Sequence, residues 1–345
     1  MTLINKIKFF LKKPRVIIVT GRGKETAKEA ITHALKRHFI IGSEVLIGAD
    51  GEESVFLLKN SKMPIVVSTH IGEYHPDKEF FAGDREDIKE ATELIKILPS
   101  YGYAILNFDD ETVRELKNTS IAHPMTFGFG ARADIRATDI VLTQPPNYGA
   151  NFKLNYDGNI VPIWLENLFG KENIYAALAA AAVGEVLGLN LVEISEAMKS
   201  CRGVQGRMRL IAGIKDSLIL DDSDGTWPLS ILESLDILGK IETAGRRIAV
   251  LGDILGVGKY AIEAHESIGE RVKGSADLLF TVGDKAKFIA EGARVKGMAQ
   301  DHIFEFSDNA SAAKKLREEI KESDLILVDG SRKMNMIEVV SALIV

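Results

Sequence analysis

The sequence predicts an α/β protein built mainly on parallel sheets. Short apolar runs rich in β-branched residues alternate with helical patterns along almost the whole chain, which is typical of repeated strand–helix–strand units. The predicted strands are 16–20, 44–47, 64–68, 103–107, 124–127, 247–251, 278–282, 302–306 and 325–328. The predicted helices are 24–37, 84–98, 172–187, 191–200, 228–238, 261–272, 285–295 and 310–322.

Several elements can be justified from local signals. The first strand breaks at Gly21 and Gly23 and opens into the first helix. Residues 135–163 alternate polar and apolar side chains around two turn signals, which predicts a small antiparallel meander appended to the first sheet. The alanine-rich stretch 176–189 is interrupted by Glu185 and therefore indicates a buried helix.

Length and composition favour a two-domain protein that acts on small molecules. The chain has 345 residues, 46% of them hydrophobic, and a formal net charge of −6. A single core stops growing at roughly 250–300 residues, so two α/β domains are expected. The negative charge offers no basic surface for nucleic acid. The single cysteine, Cys201, excludes an internal disulfide and fits a cytoplasmic location.

The domain boundary is predicted near Gly206, because a new strand and helix series begins after residues 201–207. Residues 1–14 mix lysines with apolar side chains and predict an amphipathic lead-in helix that docks on the first domain, with contact to a membrane surface as the alternative. The central domain then spans 15–205 and the C-terminal domain 206–345. No apolar run approaches the roughly 20 residues that cross a bilayer.

The junction of the first strand and helix resembles a phosphate-binding loop. Glycines followed by Lys24 at a helix start would aim main-chain N–H groups and a positive charge at an anion. The match to the Walker signature is incomplete, because Gly21 and Gly23 are one residue apart and Glu25 follows the lysine. A plain strand-to-helix turn is the alternative for this segment.

Several separated segments, in order, resemble one family, the Mur ligases, and within it the branch that adds D-alanyl-D-alanine to a UDP-muramoyl tripeptide. They cover residues 69–75, 104–110, 126–136, 169–177, 206–208, 220–223, 249–253 with His265, and 330–334. The resemblance implies a central P-loop-type ATP-binding domain followed by a Rossmann-like C-terminal domain. It also leaves the family's N-terminal UDP-binding domain without a counterpart in this chain.

The resemblance implies ATP-dependent amide-bond formation in peptidoglycan precursor synthesis, through an acyl phosphate and with Mg²⁺. Its implied substrates are a UDP-muramoyl peptide and D-alanyl-D-alanine. Lys24 and His75 match catalytic positions, and Thr26 and His75 match the metal site. The nucleotide-binding positions are Gly21, Gly23, Lys24, Glu25, Thr26, Asn173, Arg207 and Asp222.

Three departures from the family pattern concern charge and metal binding. Glu25 stands where the family has a hydroxyl that binds magnesium, and it adds negative charge unless it binds the metal itself. The strand over 44–47 ends without the family's metal-binding glutamate, so that only Glu52 or Glu53 could replace it. Thr92 occupies the place of a lysine that is carbamylated in the family.

These departures leave three functions open. The first is the ligase itself, with another chain supplying the UDP-binding domain. The second is a non-catalytic homologue that keeps nucleotide binding or serves as an interaction protein. The third is a ligase for a different acceptor, because the asparagine-rich substrate loop of the family is missing from the segment between Lys24 and Thr69.

Overall fold

A computed structural model describes residues 9–71, 85–225, 230–255 and 261–344, and it separates the chain into two compact units. By residue number, the first unit contains 1–141, 151–166 and 171–201. The second contains 142–150, 167–170 and 202–345. His75 lies outside the described residues, as does most of the predicted lead-in helix.

Strands alternate with helices as far as residue 128, and three further strands then precede two helices that end before residue 201. The strands are β1 (Arg15–Thr20), β2 (Val45–Ala49), β3 (Met63–Ser68), β4 (Tyr103–Asn107), β5 (His123–Gly128), β6 (Ile135–Thr143), β7 (Gly149–Tyr156) and β8 (Asn159–Glu166). The helices are α1 (Lys24–Leu35), α2 (Ser54–Lys59), α3 (Arg85–Lys96), α4 (Glu111–Glu115), α5 (Gly170–Val186) and α6 (Leu191–Lys199).

These eight strands form one sheet in the order β2-β1-β3-β4-β5-β6-β7-β8. The pairs from β2 to β6 are parallel, so the carboxyl ends of β1 to β4 lie along one edge of the sheet. Strands β6, β7 and β8 follow one another through connections too short for a parallel crossover, which makes them the antiparallel meander that the sequence predicts. The two short helices α2 and α4 were not predicted.

Apolar side chains of β1, β3 and β4 pack under α3 and α2 to form a core of this unit. Val16, Val66 and Leu106 are completely buried in it. Phe9 joins the same core and lies 5.9 Å from the ring of Phe56 in α2. The described end of the lead-in segment therefore docks on the first unit.

The remaining elements form a second sheet with its own helices. The strands are β9 (Arg209–Ala212), β10 (Leu218–Gly225), β11 (Arg247–Gly252), β12 (Leu278–Val282), β13 (Ile303–Phe306) and β14 (Leu325–Ser331). The helices are α7 (Ser230–Lys240), α8 (Ala261–Val272), α9 (Lys287–Val295), α10 (Asn309–Glu319) and α11 (Ile337–Leu343).

The second sheet has the order β13-β12-β11-β14-β10-β9, in which only β9 runs antiparallel to its neighbour. Strand β14 is inserted between β10 and β11, so the last strand of the chain lies beside the first parallel strand of this sheet. Strands β9 and β10 and helix α11 were not predicted. Aspartates at the end of β10 disfavour strand structure locally, but the neighbouring parallel strand buries and pairs them.

No described helix is both long and apolar enough to cross a membrane.

Candidate functional site

The loop between β1 and α1 has the backbone of an anion-binding turn. Gly21 and Gly23 have φ angles of 93° and 75°, which glycine adopts far more readily than other residues. Helix α1 begins at Lys24, and its N-cap residue is Gly23, which has no side chain to cap the helix. The N–H groups of the first turn of an α-helix have no partner within the helix, so this end suits an anion.

The segment after β3 holds this loop in place. The N–H of Arg22 donates to the carbonyl of His70 over 2.6 Å. The hydroxyl of Thr69 lies 2.9 Å from the carbonyl oxygen of Thr20 and 2.6 Å from that of Arg22. A β-carbon on Gly21 would lie 2.8 Å from the Thr69 hydroxyl, so this glycine is required by packing within the protein as well as by the turn.

Lys24 forms an ion pair with Asp50, the residue that follows β2. The other carboxylate oxygen of Asp50 accepts a hydrogen bond of 2.7 Å from the hydroxyl of Thr20. From the sequence, only Glu52 and Glu53 were named as replacements for the family's glutamate, and Asp50 was not considered. Strand β2 runs two residues beyond the predicted end, and this places Asp50 at the sheet edge, whereas Glu52 and Glu53 lie in an exposed turn.

The two residues after Lys24 face different surroundings. Glu25 pairs with Lys28 one turn further along α1, and its side chain is 41% exposed. Thr26 is buried, and its hydroxyl donates to the carboxylate of Glu172 in α5. Glu172 also fills the space above Gly23, where a β-carbon would lie 3.1 Å from its Cγ. Because Glu172 lies in the first turn of α5, its contact with Thr26 brings that turn and the loop together. Asn173 follows Glu172 in the same turn.

The acidic residues at the end of β4 anchor loops of the first unit. Asp109 accepts hydrogen bonds from the N–H groups of Phe129 and Gly130, at 2.6 and 2.8 Å, and from the hydroxyl of Tyr175 at 3.0 Å. Asp110 caps α4 and lies 3.1 Å from Nδ1 of His70. Thr92, at the position of the family's carbamylated lysine, bonds back to the carbonyl of Ile88 within α3.

In the second unit, Asp224 forms ion pairs with two arginines. Nη2 of Arg207 lies 3.1 Å from Asp224, and Arg332 contacts both oxygens of the same carboxylate at 2.9 Å. The guanidinium of Arg207 is buried, whereas the side chain of Arg332 is 75% exposed. Asp221 instead accepts the N–H of Gly206 at 2.9 Å and so fixes the turn that carries Arg207.

Asp222 and Asp329 form a buried carboxyl pair on the neighbouring strands β10 and β14, where they lie opposite each other. The hydroxyl of Ser234 in α7 donates to Asp222 over 2.9 Å. Burial raises the pKa of the Asp329 carboxyl to about 7. One proton shared between two neighbouring carboxyl groups removes the repulsion that two buried charges would have.

His265 is completely buried in α8 and ties this helix to the loop after β11. Its Nε2 accepts the N–H of Ile254 at 3.0 Å, and its Nδ1 faces the carbonyl of Ala261. This arrangement requires a neutral ring with the proton on Nδ1. Burial accordingly lowers the pKa of His265. The role of His265 in this fold is therefore structural.

The first unit thus brings together Gly21, Gly23, Lys24 and Thr26, and Asn173 follows Glu172 in the first turn of α5. Glu25 turns away toward Lys28, and Arg207 and Asp222 belong to the second unit. Sequence reasoning missed Asp50 and Glu172. The position of Asp50 just beyond a strand was a usable signal, but the contact of Glu172 with the loop had none. Within the described ranges, no three His, Cys, Asp or Glu residues come together in a way that could hold a metal ion.

Two family models match the chain. The Mur ligase middle domain matches residues 47–184, and the Mur ligase glutamate ligase domain matches residues 206–332. Together the two matches cover most of both units.

Two curated Mur ligases are similar to this chain in sequence. The UDP-N-acetylmuramoyl-tripeptide–D-alanyl-D-alanine ligase of Bacillus subtilis is 27% identical over 96% of this chain and 76% of its own length. The UDP-N-acetylmuramate–L-alanine ligase of Xylella fastidiosa strain M12 is 38% identical, but over only 48% of this chain and 34% of its own length. The chain therefore spans about three quarters of one curated relative and about one third of the other.

Solved structures show the same fold. A crystal structure of MurF from Acinetobacter baumannii superposes with a TM-score of 0.78 at 21% identity, covering 96% of this chain and 77% of that one. MurF from Thermotoga maritima in complex with ADP gives a TM-score of 0.75 at 20% identity, covering 98% and 81% of the two chains. Both comparisons confirm the predicted fold class.

Proposed function

The chain belongs to the Mur ligase family, and we propose that it is an ATP-dependent ligase that forms an amide bond in peptidoglycan precursor synthesis. One observation carries this proposal: Lys24 begins a helix directly after a glycine turn at the carboxyl edge of a parallel sheet. A positive charge and open N–H groups at one point suit the phosphates of a nucleotide. The solved relative with bound ADP supports this assignment.

The proposed reaction transfers the γ-phosphoryl group of ATP to a substrate carboxylate, and the amine of the second substrate then displaces phosphate from the acyl phosphate. In such reactions the protein mainly positions the groups and cancels charge. Lys24 neutralises negative charge on the outer phosphates, and the N–H groups of the first turn of α1 orient them. From the family pattern we also propose that Asn173 contacts the adenine and that Arg207 contacts the nucleotide.

Magnesium, when bound, offsets the charge that builds on the γ-phosphate. The chemistry of Thr26 fits a ligand, because its hydroxyl gives its proton to Glu172 and keeps its lone pairs. His75 is the second proposed ligand and lies outside the described residues.

We take a UDP-muramoyl peptide as the carboxylate substrate and D-alanyl-D-alanine as the amine, following the Bacillus subtilis relative. The Xylella fastidiosa relative, which carries L-alanine in its name, keeps a different amine open. A cytoplasmic location, as for such ligases, completes the proposal.

A second candidate function is that of a non-catalytic homologue. The carboxylate of Glu172 lies against the first turn of α1, and the residue after Lys24 is a glutamate that pairs with Lys28. Negative charge at this point opposes nucleotide phosphates unless a cation offsets it.

The experiment that tests the ligase is phosphate release with ATP, Mg²⁺ and UDP-muramoyl tripeptide, with D-alanyl-D-alanine, with L-alanine and without an amine. We expect release that depends on D-alanyl-D-alanine and that Lys24→Ala abolishes. Release that depends on L-alanine would identify L-alanine, instead of D-alanyl-D-alanine, as the amine substrate. Nucleotide binding without release under any of these conditions would favour the non-catalytic homologue or a ligase for a different acceptor.

A further inference from the structure

Asp50 is a carboxylate buried beside the phosphate-binding loop. Its side chain is only 4% exposed. The N–H of Asp50 donates to the carbonyl of Val19 over 3.1 Å, which fixes the residue against the end of β1. Its two oxygens contact the hydroxyl of Thr20 and the ammonium of Lys24. Among the described residues, Lys24 is therefore the cation that compensates the Asp50 charge.

This ion pair conflicts with the role of Lys24 in binding a nucleotide. If the ammonium turns to the phosphates, Asp50 loses its cation and remains buried with a negative charge. An uncompensated buried charge is strongly destabilising. The phosphates would bring further negative charge to the same place. A second cation removes both penalties at once.

We propose that Asp50 exchanges cations when nucleotide binds: it gives up Lys24 to the phosphates and becomes a ligand of the magnesium ion that arrives with them. This inference rests on the proposed ATP-dependent function and adds a metal-binding residue to it. Magnesium in such sites is held by one or two carboxylates together with phosphate oxygens and water. Asp50 suits this role better than Glu25, which is half-exposed and paired with Lys28.

When metal is absent, Lys24 can turn to the phosphates only at a cost in free energy. Free nucleotide must break the ion pair and leave Asp50 uncompensated, whereas the magnesium complex supplies the replacement cation. Nucleotide affinity should therefore depend on magnesium through Asp50.

The test is calorimetric binding of ADP, which the protein cannot turn over, with Mg²⁺ and with EDTA. We expect Asp50→Asn to bind metal-free ADP about threefold more tightly than the parent, because Lys24 is released. The gain in affinity on adding Mg²⁺ should fall about tenfold in this variant. Asp139→Asn is the matched control, since Asp139 also pairs with a lysine, Lys153, but at an exposed site. It should behave as the parent does.

A full gain from Mg²⁺ in Asp50→Asn would overturn the proposal and leave Asp50 as a partner of Lys24 only. Absence of ADP binding by the parent would instead contradict the proposed function. If Asp50→Asn does not fold, Mn²⁺ and ADP bound to the parent labelled with ¹³C in aspartate carboxyl groups provide the measurement. Electron–nuclear double resonance should detect a directly bound carboxylate, and absence of that coupling would overturn the proposal.

Discussion

Glu172 accepts a hydrogen bond from the hydroxyl of Thr26, and this contact places a carboxylate from α5 against the first turn of α1. The same side chain fills the space above Gly23. Negative charge at a helix N-terminus stabilises the helix, so Glu172 favours the ligand-free protein. It also opposes the negative charge of an incoming phosphate.

Replacing Glu172 by glutamine should tighten nucleotide binding. Glutamine keeps an oxygen that accepts the Thr26 hydroxyl but removes the charge beside the loop. Charges at helix ends contribute about 0.3–1 kcal/mol, so we expect ADP affinity to rise about two- to fivefold and the melting temperature to fall slightly. Titration calorimetry and thermal unfolding measure both. Glu193→Gln changes the acidic residue in the capping box of α6 and should leave ADP affinity as it is.

Weaker ADP binding in Glu172→Gln would contradict this view. It would indicate that Glu172 helps to hold the metal rather than repel the nucleotide.

Replacing Lys24 by alanine should weaken ATP binding at least tenfold, or about 1.4 kcal/mol. The ammonium is a positive charge at the start of α1, next to the N–H groups of the first helical turn. Fluorescence or calorimetric titration with ATP and Mg²⁺ measures the change. Lys153→Ala removes a lysine from an exposed ion pair and serves as the control. Equal affinities in the parent and Lys24→Ala would exclude the loop as the phosphate site.

Replacing Asp329 by asparagine should stabilise the protein at alkaline pH. Its pKa is raised from 3.8 to about 7, so between these values the folded state keeps a proton that the unfolded state has lost. Asp329 therefore lowers the free energy of unfolding as pH rises through this window. Asparagine can still donate a hydrogen bond to Asp222 and carries no charge.

Urea unfolding at about pH 5 and pH 8 tests this prediction. The advantage of Asp329→Asn over the parent should be larger at pH 8, where the unfolded state gains most from ionising Asp329. Asp139→Asn, at an exposed aspartate, should show no such difference between the two pH values. An advantage that does not grow with pH would mean that Asp329 does not titrate in this window.

Replacing His265 by alanine should lower the free energy of unfolding by about 2 kcal/mol. The change leaves the N–H of Ile254 without its acceptor, and a buried unsatisfied group costs about 1–3 kcal/mol. His38→Ala, at an exposed histidine, should change stability by less than about 0.5 kcal/mol. A loss no greater than that of His38→Ala would contradict the structural role.

The pH dependence of stability gives a second measure of His265. Its folded-state pKa lies below 6.5, so the unfolded state takes up a proton first as pH falls. The parent should therefore lose stability as pH falls below about 6.5, and His265→Ala should lose less. Urea unfolding at about pH 7 and pH 5 measures both proteins.

Local sequence patterns were sufficient for most regular elements. The predicted bounds of β4, β12 and α8 agree with the structure residue for residue, because the two strands are short continuous apolar runs and the helix has a helical apolar period. The pattern failed for β10. Its aspartates resemble a loop in the sequence, and only pairing with β14 makes a strand there favourable.

The sequence by itself determined the α/β class, the glycine turn before Lys24 and the family, since each depends on residue types at short spacing. Only the tertiary structure decided which carboxylates meet that turn. Asp50 reaches it because β2 pairs in parallel beside β1, and Glu172 reaches Thr26 from 146 residues away. The position of Asp50 just beyond a strand signals an edge location, but strand order and helix packing decide which loop each carboxylate meets.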